Sequence, residues 1–193
     1  MRDEFEQEYL DLDLRNNDDV IKIENLRRSD KPLISKVQVD EFTQEANKNF
    51  DFEFNGEINF FPFELSNKIK DLDFQILCIV GASGSGKSIL SKFYGEEEKL
   101  EYDNTKSIMS HFETPNDAIE KLCAVGLNSI PTWCKPRNVL SVGEGFRVDL
   151  ARRIKNNCVI DEFTSTVDRN IALSCSNSIG KYIRKKGLKN VYL

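Results

Sequence analysis

Apolar and polar positions alternate on two scales along the chain. Residues 74–80 (FQILCIV) form a continuous apolar run of strand length, as expected of a strand buried on both faces of a parallel sheet. Residues 158–160 (CVI) repeat that character, and residues 190–193 close the chain with a third predicted strand. Between these runs the spacing turns helical. Ala118, Leu122 and Val125 share one side of a predicted helix over 115–125, and Phe146, Leu150 and Ile154 recur every four residues over 142–155. Asn156-Asn157 ends that second helix. A third helix is predicted from just after Asp168 to Arg184, with Gly187 as its stop. A helical stretch to about Tyr94 follows a glycine loop at 81–86, while Pro131 and Pro136 bracket an ordered loop pinned by Trp133.

Before residue 74 the pattern is shorter in range. Phe50, Phe52 and Phe54 alternate with acids, Asn55-Gly56 follows, and Ile58 and Phe60 resume the alternation, which predicts a β-hairpin with a type I′ turn. Residues 20–23 read as a short strand and Asp30-Lys31-Pro32 as a turn. Over residues 1–20, Phe5, Tyr9, Leu10, Leu12 and Leu14 fit neither period, so that stretch reads as a loose or partner-dependent tail. The expected organisation is an acidic N-terminal extension, residues 1–48, partly disordered or partner-dependent. One α/β core, residues 49–193, follows it. In that core a mainly parallel sheet is flanked by helices, with an N-terminal antiparallel hairpin and a short helical insertion.

Composition narrows the picture. At 193 residues, with 39% hydrophobic and 31% charged positions, the chain is long enough for one well-cored domain. No apolar run approaches the roughly 20 residues of a membrane span, and the acidic start MRDEFEQEYL lacks a secretory pattern, so a cytoplasmic protein is expected. The five cysteines show no C-x-x-C spacing, which points away from a disulfide framework or zinc site; Cys78 and Cys158 read as core residues. A net charge of −5 gives no global attraction to nucleic acid. The local basic cluster Lys181, Arg184, Lys185, Lys186 and Lys189 leaves nucleic acid an open question, a solvated helix end being the plainer reading.

Three segments carry candidate chemistry. Gly81-Ala82-Ser83-Gly84-Ser85-Gly86-Lys87-Ser88 matches G-x-x-x-x-G-K-[ST] between a predicted strand and a predicted helix. Its glycines let backbone N–H groups wrap a phosphate; Lys87 adds a point charge, and Ser88 a hydroxyl for Mg²⁺. Asp161 and Glu162 end the 158–160 strand. Left extended they point to opposite sides, so Asp161 suits a Mg²⁺ ligand and Glu162 a base for water. A third segment, Leu140-Ser141-Val142-Gly143-Glu144, opens the 142–155 helix. Ser141 and Glu144 have capping-box spacing, and the same helix start suits an anion.

Taken in order, LSVGEGFRVDLARRI and CVIDEFTSTVD resemble the signature helix, Walker B strand and D-loop of ATP-binding-cassette (ABC) ATPases. The likeness covers about residues 50–193. From PTW through VIDEFTSTVDR it further resembles a soluble branch associated with a predicted acetyltransferase domain. The resemblance implies a P-loop NTPase fold of the ABC type. It also implies ATP and Mg²⁺ as ligands, a D-loop ending at Asp168, and hydrolysis in a head-to-tail homodimer or heterodimer bridged by nucleotide. Ser141, Gly143 and Glu144 of one copy would then meet nucleotide on the other. One of Phe54, Phe60, Phe61 and Phe63 would stack on adenine, although core packing explains any single one as well.

The chain departs from the family pattern at several points. Val142 stands where the family has glycine and Glu144 where it has glutamine, which puts a carboxylate near an incoming phosphate. No glutamine between Ser88 and Leu140 matches the Q-loop. The family's switch histidine has no counterpart before Leu193, and the only histidine, His111, reads as a loop or helix-end residue. A truncated chain, a missing part supplied by another domain or polypeptide, or slow turnover each accounts for that. Two other classes stay open: an ATP-dependent binding switch with little hydrolysis, and a monomeric P-loop NTPase of another branch.

Overall fold

The computed structural model describes residues 19–22, 26–63 and 74–193. Of the tail expected over residues 1–20, residues 1–18 lie outside the described residues, and Asp19 and Val20 belong to a strand.

Continuous apolar runs become strands of one parallel sheet. β1 (Asp19–Lys22), β4 (Ile76–Val80), β5 (Cys158–Val159) and β6 (Val191–Tyr192) lie in the order β1-β4-β6-β5. Because β4 is central, its side chains are buried in two directions. Ile76 and Cys78 join one apolar cluster, whereas Leu77 joins the other with Ile21, Phe63, Phe74 and Leu90. All four strands run the same way, so the segments after β4, β5 and β6 leave along one edge of the sheet.

A second, two-stranded sheet pairs β2 (Leu33–Lys36) antiparallel with β3 (Glu57–Phe60), and α1 (Glu41–Phe50) connects them. This pairing replaces the hairpin predicted around Asn55-Gly56. Phe50 ends a helix, residues 52–54 are not a strand, and β3 finds its partner upstream. α1 prevails because both of its ends are well made: Asp40 and Thr43 form a reciprocal cap, and Asp51 closes the helix in the left-handed region. The Asn55-Gly56 bend survives, with Gly56 at φ +87° and the Asn55 side chain accepting from Glu57 N–H. β1 and β2 both fall within residues 1–48, so strand pairing ties part of that extension to the rest. α1 turns Phe42 and Phe50 outward, and they are 76% and 80% exposed.

The main helices are α2 (Lys87–Ser91), α3 (Pro115–Ala124), α4 (Ile130–Trp133), α5 (Val142–Arg153) and α6 (Arg169–Lys186). Thr114 caps α3, with Pro115 at its first position. α6 runs from an Asp168 cap to Gly187 at φ +64°, as the sequence predicts. The segment around Trp133 is a single helical turn, pinned by the indole N–H donating to Leu127 O at 2.6 Å. On α5 the buried positions are Gly145, Val148, Leu150 and Ala151, with Ile154 beside them; Phe146 is only partly buried. α3, α5 and α6 cover one face of the sheet through Leu122, Leu150, Ile179 and Ile183. No helix among the described residues is long and apolar enough to cross a membrane.

Beside α5 a polar network is fully made. Arg137 binds Asp149 in a two-point pair at 3.0 and 2.8 Å, Tyr102 donates to the same carboxylate at 2.7 Å, and Arg152 lies 4.5 Å over the Tyr102 ring. Gly145 makes room for it, since a Cβ there would stand 2.5 Å from the Arg137 guanidinium. Burial, reinforced by Asp149, pushes the Tyr102 phenol up to about 12.

Candidate functional site

The loop after β4 is shaped by two glycines in the left-handed region, Gly84 at φ +71° and Gly86 at φ +103°. Gly86 is also required by contact: a Cβ there would meet the Phe60 ring at 2.9 Å. Ser85 N–H donates to Ala82 O at 3.2 Å, which tightens the loop. The amides of Gly84, Gly86, Lys87 and Ser88 have no acceptor among the described residues, and the Ser85 hydroxyl is buried without a partner. Lys87 folds back so that its ammonium donates to Gly81 O and Ala82 O, both at 2.9 Å. One ammonium N–H is left for a further acceptor.

α2 is shorter than the sequence predicts. It has five residues, and turns continue to Tyr94. So short a helix carries little macrodipole, and anion binding here falls to the loop amides themselves.

Opposite the loop, β5 hands over to an acidic turn. Ile160 N–H makes the last pairing with β6, to Tyr192 O at 2.9 Å. The backbone then bends: Glu162 sits at φ +50° and Thr164 at φ +66°. The chain is therefore not extended through Asp161 and Glu162, and the alternation expected of a strand does not hold there: both residues line one cleft. Glu162 N–H donates to Asp161 Oδ1 at 2.9 Å, and Ser165 donates to Glu162 through its N–H at 3.0 Å and its hydroxyl at 3.4 Å. A β-branched residue at positive φ is a costly conformation, and such strain collects at functional sites.

The glycine loop and the acidic turn face one cleft of ≈ 350 Å³ at the C-terminal edge of the parallel sheet. Ser83 and Lys87 line one side, Asp161, Glu162 and Ser165 the other, and Cys78, Val159, Ile160, Tyr192 and Leu193 are among the rest of the lining. Ligands of open α/β sheets bind outside this edge, in cavities of this size. The charged groups of the lining suit a phosphate and a hard cation, the Lys87 ammonium on one side and the Asp161 carboxylate on the other. Ser88 and the unpaired amides of Gly84 and Gly86 lie next to Lys87 in the chain but do not line the cleft, and the Ser88 residue is exposed. Among the described residues no three His, Cys, Asp or Glu side chains cluster to hold a metal by themselves. Mg²⁺ carried by phosphates needs only one or two protein oxygens.

Ser141, Gly143 and Glu144 do not line the cleft. They form the start of α5, where Glu144 N–H donates to the Ser141 hydroxyl at 3.3 Å and Ser141 N–H to Glu144 Oε2 at 3.0 Å. Glu144 Oε1 also accepts from Thr132 at 3.3 Å. The Glu144 carboxylate is thus used by the cap, and the Ser141 N–H holds it below the usual carboxylate range. Around it Ile130, Val139 and Val142 are 64%, 59% and 74% exposed.

The other candidates scatter. Asp168 caps α6 by accepting from Asn170 N–H at 2.9 Å. Phe63 is a core residue, Phe61 is exposed, Phe54 is half-buried, and Phe60 lies against Gly86; none of the four lines the cleft. His111 ends a 3₁₀ turn, bonded to Ser107 O through Nδ1 and accepting from Asp103 N–H at Nε2, each at 3.0 Å. In the basic cluster, Lys186 pairs with Glu120 at 2.6 Å. Sequence reasoning misses Glu97, whose Oε1 accepts from Asp161 N–H at 3.1 Å across 64 positions. Its run Glu96-Glu97-Glu98 carries no signal that separates it from a solvated acidic stretch.

No protein family, curated protein or solved structure matches the chain.

Proposed function

We propose that this chain is the nucleotide-binding core of a soluble ABC-type ATPase, which binds Mg²⁺·ATP in the cleft and hydrolyses it when two copies close head to tail. The observation that carries the reading is the meeting of Lys87 and Ser83 with Asp161 and Glu162 around one cleft at the C-terminal edge of a parallel sheet. The glycine loop, the LSVGE helix start and the acidic turn follow in that order, which is the order of the motifs that the sequence resembles.

In this reading the amides of Gly84, Gly86, Lys87 and Ser88 grip the β-phosphate oxygens, and Lys87 exchanges its loop carbonyls for phosphate oxygens. Ser88 and Asp161 hold Mg²⁺, which when bound neutralises phosphate charge. Glu162, exposed and flexed out of the strand, orients the attacking water and takes its proton. Ser141 and Gly143 lie outside their own chain's cleft, beside the exposed Val139 and Val142, which fits a role against a second copy.

The test is Mg²⁺-dependent ATP turnover over a range of protein concentrations, for the chain as it stands and for Glu162→Gln and Ser141→Arg. Rates per molecule that rise with concentration and vanish in both variants support the proposal. ATP binding without phosphate release identifies a binding switch instead, and turnover that survives Ser141→Arg identifies a monomeric P-loop NTPase.

A further inference from the structure

Asp161 N–H is the first amide beyond the β5–β6 ladder, and no backbone carbonyl receives it. Glu97 Oε1 does, at 3.1 Å in a half-buried setting. The second oxygen of the same carboxylate stands 3.5 Å from Arg153 in the last turn of α5, where the Arg153 and Glu97 side chains are 22% and 31% exposed. The segment bearing Glu97 is itself fastened to that helix end: Arg153 Nε donates to Glu98 O at 3.3 Å and Lys155 pairs with the Glu98 carboxylate. Just before it, Gly95 at φ +148° brings the backbone against β5, where a Cβ would lie 3.5 Å from Val159. One carboxylate therefore joins the acidic turn to the helix that begins at Ser141, 12 residues and about 18 Å away.

We propose that Glu97 is a positioning residue that holds Asp161 in the geometry needed to receive a divalent cation, and that Arg153 holds Glu97. The inference rests on the reading of the cleft as a Mg²⁺·nucleotide site. Partners one step removed from a metal ligand fix its orientation, and their loss typically lowers metal affinity or activity about 10–100-fold. The two oxygens of Glu97 do separate work, so they are separable by substitution. Glu97→Ala removes both contacts, Glu97→Gln keeps an oxygen for Asp161 N–H, and Arg153→Met removes only the ion pair.

The experiment is a Mg²⁺ titration of mant-ATP binding by the full chain, made in a Glu162→Gln background so that no nucleotide is consumed. Glu97→Ala is expected to raise the Mg²⁺ needed for half-saturation about 10–100-fold, with Mg²⁺-free mant-ATP binding unchanged. Glu97→Gln is expected to stay near the parent, and Arg153→Met to fall between. Amide hydrogen exchange, which needs no ligand, is expected to show Asp161 protected in the parent and in Glu97→Gln; fast exchange of that amide in the parent overturns the proposal even if Glu97→Ala does not fold. An unshifted Mg²⁺ titration in folded Glu97→Ala, beside a parent that binds Mg²⁺·mant-ATP, overturns the role of Glu97 alone. A parent that binds no mant-ATP at all overturns the reading of the cleft, and this proposal with it.

Discussion

The cleft and the shoulder of helix around α5 treat polar groups in opposite ways. At the shoulder every prominent polar group has a partner: Arg137, Tyr102 and Asp149 satisfy one another, and the Ser141–Glu144 cap closes the helix start. Around the cleft, loop amides lack acceptors, the Ser85 hydroxyl is buried without a partner, and Glu162 and Thr164 sit at positive φ. The first arrangement avoids the cost of unmet hydrogen bonding. The second holds strain and unmet hydrogen bonding where a ligand can relieve them. The difference teaches where this chain spends its order: a well-satisfied helical body supports a cleft that is incomplete by itself.

That contrast can be broken by substitution. The largest effect is expected from Glu162→Gln, which should lower ATP turnover about 10²–10⁴-fold while leaving ATP binding and thermal midpoint near the parent, as steady-state kinetics and thermal melts would show. A comparable fall in the midpoint would mean that the turn is structural. Leu150→Ala, at a position only 1% exposed, should do the reverse: a loss of about 2–5 kcal/mol in denaturant unfolding, with nucleotide affinity of the folded fraction retained. A smaller effect is expected from Thr164→Gly, which relieves a β-branched residue at φ +66° and should gain about 1 kcal/mol while turnover falls. Lost stability there would refute the strain argument.

The smallest effect concerns pH. The folded Glu144 carboxyl lies below its ordinary value because Ser141 N–H, and then its hydroxyl and Thr132, favour the charged form. Its contribution is therefore present above the unfolded value of about 4.3 and is lost as pH falls through the lower folded value. Acid melts of Glu144→Gln should show a shallower decline than the parent below about pH 4. Equal slopes would remove the cap from the account of α5.

The helices α3, α5 and α6 and the buried strands β4 and β5 were legible because their signals are local or periodic. Thr114, Ser141, Asp168 and Gly187 mark helix ends with residue types that satisfy orphan backbone groups, and β4 is apolar because both of its faces are covered. The hairpin failed at the choice of partner. Asn55-Gly56 makes a bend in either arrangement, but a dipeptide does not say which strand β3 will pair with, and the well-capped α1 took Phe50 away from the alternation. Glu97 was invisible for the same kind of reason, since nothing in Glu96-Glu97-Glu98 announces a backbone N–H 64 positions later.

By itself the sequence determined that this is an α/β chain with a glycine loop at 81–88, an acidic pair at 161–162 and a capped helix start at 141–144, because each depends on residue type and short spacing. Only the tertiary structure decided that the first two share a cleft while the third lies outside it, that Glu162 leaves the strand in a left-handed turn, and that Glu97 and Arg153 tie the acidic turn to α5. Those are relations between segments distant in the chain, set by strand order and packing, on which local propensity is silent.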